Sequence, residues 1–338
     1  MLEGELLGQT DLRVSRVILG AWAMGGWYWG GADDALSAST VRASVDAGVT
    51  SIDTAPVYGF GRSEEVVGRA VRGIRGQVQI LTKVGLRWDC TDGSHFFEAT
   101  DPAGKTYQVY RNLRPASVRW EVEASLQRLG VDHIDLIQCH WPDPSTPIPE
   151  TMGALAALVR EGKVGAVGVS NFSVAQMEEA RVALGDIPLA SNQPQYSLLD
   201  RRIERDVLPW CHTEGVGVVV YSPMGRGLLT GRVTMERTFS ASDGRSSEPN
   251  FHPVNRQRVL DALDQVRDIA TRNDMTLANL AVAWVLHQPG VTAALVGART
   301  PAQVQENARA AQVSLHDSEC NQISQVFGAL RLERKPGA

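Results

Sequence analysis

The chain has 338 residues, of which 43% are hydrophobic and 21% charged, and its formal net charge is −5. This composition is ordinary for a globular protein with a sizeable core, and it excludes the disordered, fibrous and membrane-embedded classes. Because the net charge is negative and no run of Lys and Arg marks a surface for phosphate backbones, we do not expect a nucleic-acid partner.

The amino terminus indicates the compartment. Met1-Leu2-Glu3-Gly4-Glu5 has neither the basic flank nor the apolar stretch of a signal peptide, and no run of about 18 apolar residues occurs. The cysteines are scattered, without a C-x-x-C pair or a disulfide spacing pattern. We therefore expect a cytoplasmic protein with free thiols and no membrane association.

Apolar patterning in chain order predicts the fold. Two short apolar runs within residues 5–15 flank Gly8-Gln9-Thr10-Asp11 and indicate a β-hairpin. Short apolar runs then alternate with helical patterns, which is typical of repeated βα units around a parallel sheet. Eight such strands favour an α/β fold closed into a (β/α)8 TIM barrel over an open sheet. The predicted strands are 17–20, 50–53, 79–83, 134–139, 164–169, 189–193, 217–221 and 292–296.

The helical patterns and the long connections complete the prediction. Residues 85–112 and 222–253 are too long for ordinary βα connections, and they would leave the barrel as long loops at its carboxyl face. We expect one domain over residues 1–338, with the barrel at about 17–315 and an outer helix at 317–334. The other predicted helices are 40–47, 63–72, 115–129, 148–161, 173–184, 203–214, 254–273 and 276–288.

Four ionisable side chains follow three successive predicted strands. Asp53 and Tyr58 follow the second strand, Lys83 ends the third and His140 follows the fourth. The carboxyl ends of parallel barrel strands meet at one mouth, so these residues define a candidate active site. A phenol is a poor acid near neutral pH unless a cation lowers its pKa, and Lys83, paired with Asp53, would supply that cation. With His140 as a hydrogen-bond donor, the set would protonate a carbonyl oxygen while a hydride reaches the carbon.

Seven stretches of the sequence resemble motifs of the aldo-keto reductases. One of them is Asp53-Thr54-Ala55-Pro56-Val57-Tyr58-Gly59. Within that family the chain is most similar to the bacterial general-stress and inositol-cluster reductases, and potassium-channel β subunits form a related branch. The matching stretches are 53–59, 81–83, 135–142, 168–172, 192–197, 221–231 and 297–307.

The resemblance implies a barrel that binds a nicotinamide cofactor without a Rossmann domain. It implies Tyr58 as general acid and base, Lys83 with Asp53 tuning its pKa, and His140 orienting the carbonyl. The implied cofactor residues are Ser170, Asn171 and Gln193 at the carboxamide, Tyr221 and Trp22 at the nicotinamide, Ser222, Met224 and Arg226 at the pyrophosphate, Gly297, Arg299, Gln303 and Asn307 at the adenosine 2′-phosphate, and Glu306 at the adenine.

The residues implied at the adenosine 2′-phosphate favour NADP(H) over NAD(H). A glycine-containing loop opens a helix there, whose free N–H groups attract phosphate, and Arg299 adds a fixed fork of donors. Two alternatives remain open: Arg299 stacks on adenine or is a solvated residue at the helix start. The pair Ser170-Asn171 has an alternative too, as a plain helix cap.

Tryptophans indicate the substrate pocket. Trp27, Trp29, Trp88 and Trp141 follow strand ends or lie in their loops, and they would wall a pocket for an apolar or ring-shaped carbonyl compound, although aromatic walls also bind sugars.

The sequence thus predicts NADPH-dependent, reversible reduction of an aldehyde or ketone, without a metal ion. Two other classes stay open: a cofactor-binding regulatory subunit with incidental turnover, and a metal-dependent barrel hydrolase using His140 with Asp135 or Asp143. The physiological substrate, the preferred direction and the oligomeric state are not determined.

Overall fold

The computed structural model describes residues 4–333. Thirteen strands lie in that range. They are β1 (Glu5–Leu6), β2 (Arg13–Val14), β3 (Val17–Gly20), β4 (Ser51–Asp53), β5 (Gln79–Val84), β6 (Leu86–Arg87), β7 (Ser94–Thr100), β8 (Thr106–Arg111), β9 (Ile134–Cys139), β10 (Val164–Ser170), β11 (Leu189–Gln193), β12 (Gly217–Val220) and β13 (Ala293–Gly297).

Helices follow the barrel strands. They are α1 (Asp34–Asp46), α2 (Arg62–Val71), α3 (Pro115–Leu129), α4 (Ile148–Arg160), α5 (Val174–Leu184), α6 (Val207–Glu214), α7 (Pro253–Arg272), α8 (Leu277–His287), α9 (Pro301–Arg309) and α10 (Asp317–Gly328).

Eight parallel strands close into a barrel in the order β10-β11-β12-β13-β3-β4-β5-β9. The predicted (β/α)8 TIM barrel is therefore confirmed, and every predicted barrel strand matches an observed one to within one residue at each end. The hairpin β1–β2 packs at the amino ends of the strands, where Leu7 and Val14 join barrel-interior residues such as Leu81 and Leu136 in one buried cluster. With one end filled by the hairpin, the carboxyl end is left for a site.

The helix boundaries differ at three places. Helix α1 begins at Asp34 instead of residue 40, because the Asp33 side chain accepts a bond from Leu36 N (2.9 Å) and caps a first turn with little apolar periodicity. Helix α6 begins only at Val207, after a short 3-10 turn over Arg202–Glu204. Helix α10 ends at Gly328, and Arg334, the predicted end, lies outside the described residues.

The two long connections differ from each other. Residues 85–112 were predicted as a loop but form an antiparallel sheet in the order β6-β8-β7. Strand β7 has few fully buried side chains, so its sequence lacks the apolar alternation by which strands are recognised. Residues 222–252 form no helix or strand beyond 3-10 turns at Gly225–Thr230, Gly244–Ser247 and Pro249–Phe251 and a single β-bridge between Asp243 and Trp29.

No helix within residues 4–333 is both long enough and apolar enough to span a bilayer.

Candidate active site

A cavity of about 600 Å³ opens at the carboxyl mouth of the barrel. Asp53, Ser170, Gln193 and Gly297, each the last residue of a barrel strand, line it. Tyr58 and His140 line it too, whereas Lys83 lies fully buried behind Asp53. All the predicted cofactor residues border this one cavity: Trp22, Ser170, Asn171, Gln193, Tyr221, Ser222, Met224, Arg226, Gly297, Arg299, Gln303, Glu306 and Asn307.

Asp53 is the centre of a buried polar network at the floor of the cavity. Lys83 Nζ donates to Asp53 Oδ1 (2.5 Å) and to the Thr54 carbonyl (2.9 Å). The other carboxylate oxygen accepts from Gln193 Nε2 (2.8 Å) and Gln138 Nε2 (3.2 Å). Three donors thus compensate a carboxylate that is only 2% exposed, as burial of a charge requires.

Tyr58 lies beside this network, and Lys83 Nζ is 5.1 Å from the centre of its ring. Burial raises the pKa of the Tyr58 phenol well above its usual value, and the Asp53 charge raises it further. This direction is opposite to the sequence expectation that Lys83 lowers the pKa. The main physical reason is burial, which disfavours the charged phenolate, and the Lys83 ammonium is engaged by the Asp53 carboxylate.

His140 faces Tyr58 edge-on, with the ring centres 5.7 Å apart. Burial lowers the pKa of His140 well below its usual value, and the Lys83 cation lowers it further. The imidazole is therefore neutral at physiological pH, with one ring nitrogen protonated and able to donate a hydrogen bond.

Two glycines let the Tyr58 loop approach the loop after β3. A Cβ placed on Gly59, whose φ is +66°, would lie 2.1 Å from the Gly25 carbonyl oxygen, and one on Gly25 would lie 2.5 Å from the Tyr58 backbone. Only hydrogen fits at either position, so the contact that fixes Tyr58 requires glycine on both sides. Trp22, from the same loop as Gly25, stacks on the Tyr58 ring at 5.9 Å.

Ser170, Asn171 and Tyr221 form a second hydrogen-bonded set. Asn171 has a left-handed backbone (φ +62°), donates from Nδ2 to the His140 carbonyl (3.1 Å) and accepts from the Tyr221 hydroxyl (3.0 Å). The alternative of a plain helix cap is wrong, because Ser173 caps α5 in a capping box with Gln176. The pair Ser170-Asn171 is thus free to serve the cavity.

The outer cavity is rich in positive charge although the protein is acidic. Arg226, Arg232, Arg237, Arg245 and Arg299 line it, against the carboxylates of Asp53 and Glu306. Among the described residues, Arg237 and Arg299 have no carboxylate partner. Such a cavity attracts a polyanionic ligand.

Two of these arginines bond to the loop after β3. Arg226 donates to the Tyr28 hydroxyl (2.9 Å) and forms an ion pair with Glu248. Arg299 donates to the carbonyls of Gly31 (2.8 Å) and Trp29 (3.3 Å). The loop after β3 and the 222–253 loop are thereby joined across the cavity.

The start of α9 forms the far end of the cavity. Thr300 caps the helix, and Gln303 Oε1 accepts from Arg299 N (2.7 Å). Asn307 Nδ2 donates to the Gly297 carbonyl (3.2 Å), and Glu306 pairs with Arg232 (2.6 Å). These contacts hold together the residues predicted for the adenosine end, which lie between the end of β13 and the last turns of α9.

Aromatic side chains wall the cavity near Tyr58. Trp27, Trp29 and Trp141 line the cavity, as predicted. Trp88 does not line it and instead packs edge-on against Phe60, with the ring centres 5.9 Å apart. The structure thus gives no support for Trp88 in the pocket. Phe97, from β7, takes a place there and stacks in parallel on Trp27 at 5.7 Å.

Sequence reasoning missed Gln138, Tyr28, Phe97 and the arginines beyond Arg226 and Arg299. Gln138 carries a readable signal, since a glutamine inside an otherwise apolar strand directly before His140 must have a buried polar partner. The others carry none, because their loops lack periodicity and the tertiary fold alone brings them to the cavity.

The residues named for a metal-dependent hydrolase are not brought together. Asp135 binds Arg75 (2.6 Å) and Ile80 N (2.7 Å), near the start of its strand. Asp143 accepts from Leu113 N (3.0 Å), Ser145 and Thr146, and so stabilises loop backbone. Neither carboxylate is available to His140.

Comparison with known proteins identifies the class. The aldo/keto reductase family model matches residues 16–327, and the chain belongs to this family. It is 40% identical to the aldo-keto reductase YhdN of Bacillus subtilis (strain 168), over 96% of this chain and 94% of that protein. It is 39% identical to the NADH-specific methylglyoxal reductase of Escherichia coli (strain K12), over 96% and 98%.

A channel-associated relative and a solved structure complete the comparison. A probable voltage-gated potassium channel subunit beta of Arabidopsis thaliana is 33% identical, over 91% of this chain and 90% of that protein. The structure of the glycerol dehydrogenase AKR11B4 from Gluconobacter oxydans superposes with a TM-score of 0.86 at 40% identity, covering 100% of this chain and 99% of that one. The predicted kinship with bacterial reductases and the channel-subunit branch is therefore confirmed.

Proposed function

We propose that this protein catalyses the reversible, NADPH-dependent reduction of an aldehyde or ketone to the alcohol. The observation that carries the proposal is the placement of Tyr58 and His140 over the Asp53–Lys83 pair, at the end of a cavity lined by the whole predicted set of cofactor residues. The cofactor supplies the hydride, and the protein supplies the proton and the positioning.

The residues present fit a phosphorylated dinucleotide. Five arginines line the cavity, and the buried polar atoms of cavity residues that have no hydrogen-bond partner among the described residues include Arg226 Nε and Glu306 Oε1. Buried polar atoms are normally satisfied, so both fit a site whose ligand supplies the partner. Arg226 with Ser222 and Met224 would hold the pyrophosphate, and Glu306 would hold the adenine.

Tyr58 is proposed to act as general acid. Its raised pKa keeps the phenol protonated at neutral pH, so a proton is available to a carbonyl oxygen bound beside it. Neutral His140 would donate a second hydrogen bond to the same oxygen and fix its position. In the reverse direction Tyr58 accepts the proton of the alcohol.

The preference for NADPH is the finer part of the proposal. It rests on Arg299 and Gln303 at the amino terminus of α9, where a 2′-phosphate would meet a cation, with Asn307 further along the same helix. The relative from Escherichia coli is named as NADH-specific, so membership of the family does not decide the cofactor.

The walls support small carbonyl substrates. Trp22, Trp27, Trp29 and Trp141 leave an aromatic recess beside Tyr58, suited to an apolar chain or to the C–H face of a short polyol. Two relatives are named for methylglyoxal and glycerol, which are both small three-carbon compounds.

The free thiols of all four cysteines support a cytoplasmic location.

A second candidate function is a cofactor-binding regulatory subunit, favoured by the 33% identity to a potassium-channel subunit. Steady-state turnover by the purified chain without a partner separates the two functions.

The test uses initial rates of cofactor oxidation at 340 nm with an aromatic aldehyde, with NADPH and NADH in parallel. Wild type is expected to turn over with NADPH, and Tyr58→Phe to lose roughly 10²-fold or more in kcat while keeping its affinity for NADPH. Wild type that binds NADPH but fails on a panel of aldehydes would favour the regulatory subunit. Absence of binding of either cofactor would refute the assignment.

A further inference from the structure

Gln138 lies inside the barrel, between Asp53 and Gln193. Its Cα is in register with Lys83 on one side and Gly168 on the other. A Cβ at Gly168 would lie 3.2 Å from Gln138 Cγ, so the glycine makes room for this side chain. Gln138 is completely buried, and its amide has two partners within the network.

The hydrogen bonds of Gln138 determine the orientation of the Gln193 amide. Gln138 Nε2 donates to Asp53 Oδ2 (3.2 Å), and Gln138 Oε1 accepts from Gln193 Nε2 (3.0 Å). Gln193 Nε2 also donates to Asp53 Oδ2 (2.8 Å), so both of its N–H groups point into the network. Among the described residues Gln193 Oε1 has no donor, and Gln193 lines the cavity.

We propose that Gln138 is a positioning residue that fixes Gln193 with its carbonyl oxygen toward the cofactor, so that the site selects a nicotinamide carboxamide by its N–H group. The inference rests on the proposed function. Without Gln138, one N–H of Gln193 loses its acceptor, and the bond to Asp53 Oδ2 alone holds the amide. The carbonyl oxygen of Gln193 is then no longer fixed where the carboxamide N–H must bind, and the selectivity for the carboxamide is lost.

The experiment compares two cofactors that differ in this group alone. NADP⁺ has a carboxamide, whereas 3-acetylpyridine adenine dinucleotide phosphate has an acetyl group with no N–H. Binding is measured by quenching of tryptophan fluorescence without substrate, so turnover is not the readout. Wild type is expected to bind NADP⁺ roughly 10-fold more tightly than the analogue, the size of one hydrogen bond.

Gln138→Met keeps the length of the side chain and removes both polar atoms. It is expected to bring the ratio of the two Kd values, analogue over NADP⁺, close to 1. The affinity for the analogue should change less than about threefold. Equal weakening of both cofactors, or an unchanged ratio, would overturn the proposal and assign Gln138 a structural role only.

Gln138→Glu is the matched variant, because a carboxyl group kept protonated by the neighbouring Asp53 carboxylate still donates to Asp53 Oδ2 and accepts from Gln193 Nε2. It is expected to keep the wild-type ratio, and loss of the ratio in Gln138→Glu would overturn the proposal. If Gln138→Met does not fold, Gln138→Leu, which also removes both polar atoms, takes its place with the same expected ratio. Wild type that binds neither compound would instead refute the proposed function, so the two failures are distinguishable.

Discussion

Tyr28 and Arg226 are joined across the cavity: Arg226 Nη1 donates to the Tyr28 hydroxyl at 2.9 Å, and that hydroxyl donates to Glu248 at 2.9 Å. The bond links the loop after β3 to the loop after β12. Arg226 is also the residue proposed for the pyrophosphate, so we expect this link to open whenever the cofactor enters or leaves the cavity.

Tyr28→Phe should therefore speed both binding and release of the cofactor. The change removes the hydroxyl and keeps the ring under the Arg226 guanidinium. A net hydrogen bond of about 1 kcal/mol corresponds to roughly fivefold in rate. Stopped-flow tryptophan fluorescence measures both rates, and Tyr110→Phe, in the β7–β8 hairpin, is the control. Rates equal to those of wild type would show that the link does not limit cofactor exchange.

The reduction rate should be nearly independent of pH between about 6 and 9. His140, with a pKa lowered well below its usual value by burial, is already neutral at the acidic end. Tyr58, with a pKa raised by burial, stays protonated at the basic end, so the general acid is lost only at higher pH. Alcohol oxidation needs the deprotonated phenol and should instead rise with pH. The measurement is kcat in both directions, and an acidic limb near pH 6.5 would contradict the assigned state of His140.

Arg299→Ala should weaken NADPH binding far more than NADH binding. Loss of a charge-assisted hydrogen bond to the 2′-phosphate predicts roughly a 10- to 100-fold rise in Kd for NADPH. The substitution also removes the hydrogen bonds from Arg299 to the Trp29 and Gly31 carbonyls, and this loss should change the affinity for both cofactors equally. The ratio of the two Kd values therefore isolates the contact with the 2′-phosphate. Arg309→Ala, at the other end of α9 and paired with Asp274, is the matched control. An unchanged ratio would place the 2′-phosphate elsewhere or favour the stacking role of Arg299.

Glu121, buried under the β5–α3 connection, should make the free energy of unfolding depend on pH. Burial raises its pKa to about 8, and the carboxyl accepts from Gly85 N (3.0 Å). The folded state therefore binds more protons than the unfolded state between about pH 4.5 and 8, so stability falls as the pH rises through this window, by at most about 1.4 kcal/mol per unit.

Glu121→Gln keeps the shape of this side chain and removes its titration. Its Tm should fall less than that of wild type between pH 5 and 8, measured by circular dichroism. Glu123→Gln, half-exposed on the same helix, controls for a general loss of negative charge. Parallel pH curves for wild type and Glu121→Gln would show that another group governs this range.

The barrel was predictable because strand, helix and turn signals agree along most of the chain. Apolar runs such as residues 79–83 carry their own periodicity, and parallel connection then places Asp53, Lys83 and His140 at one mouth. The strands at 94–100 and 106–111 were not predictable from local sequence, because their side chains are half-exposed and show no sustained alternation of apolar residues. They are stabilised by tertiary contacts, such as that of Phe97 with Trp27.

The site was predictable as a list of residues more than as an electrostatic arrangement. The residue types suggested that Lys83 lowers the pKa of Tyr58, but the outcome depends on distances that a sequence does not contain. Asp53 engages the ammonium at 2.5 Å, while the centre of the phenol ring lies 5.1 Å away from it. In such a cluster small differences in geometry decide the sign of a pKa shift.

The left-handed backbone of Asn171 is shared by Tyr28, Phe60, Ser222 and Arg226, and of the non-glycine residues described with positive φ only Asp274 lies away from the cavity loops. Each such residue costs of order 1 kcal/mol relative to a relaxed backbone. Glycine would relieve this cost at each of these positions, but it would also remove a side chain from the loops around the cavity. The loops at the rim therefore carry backbone strain together with the side chains of the site, and the packed barrel beneath them holds that strained backbone in place.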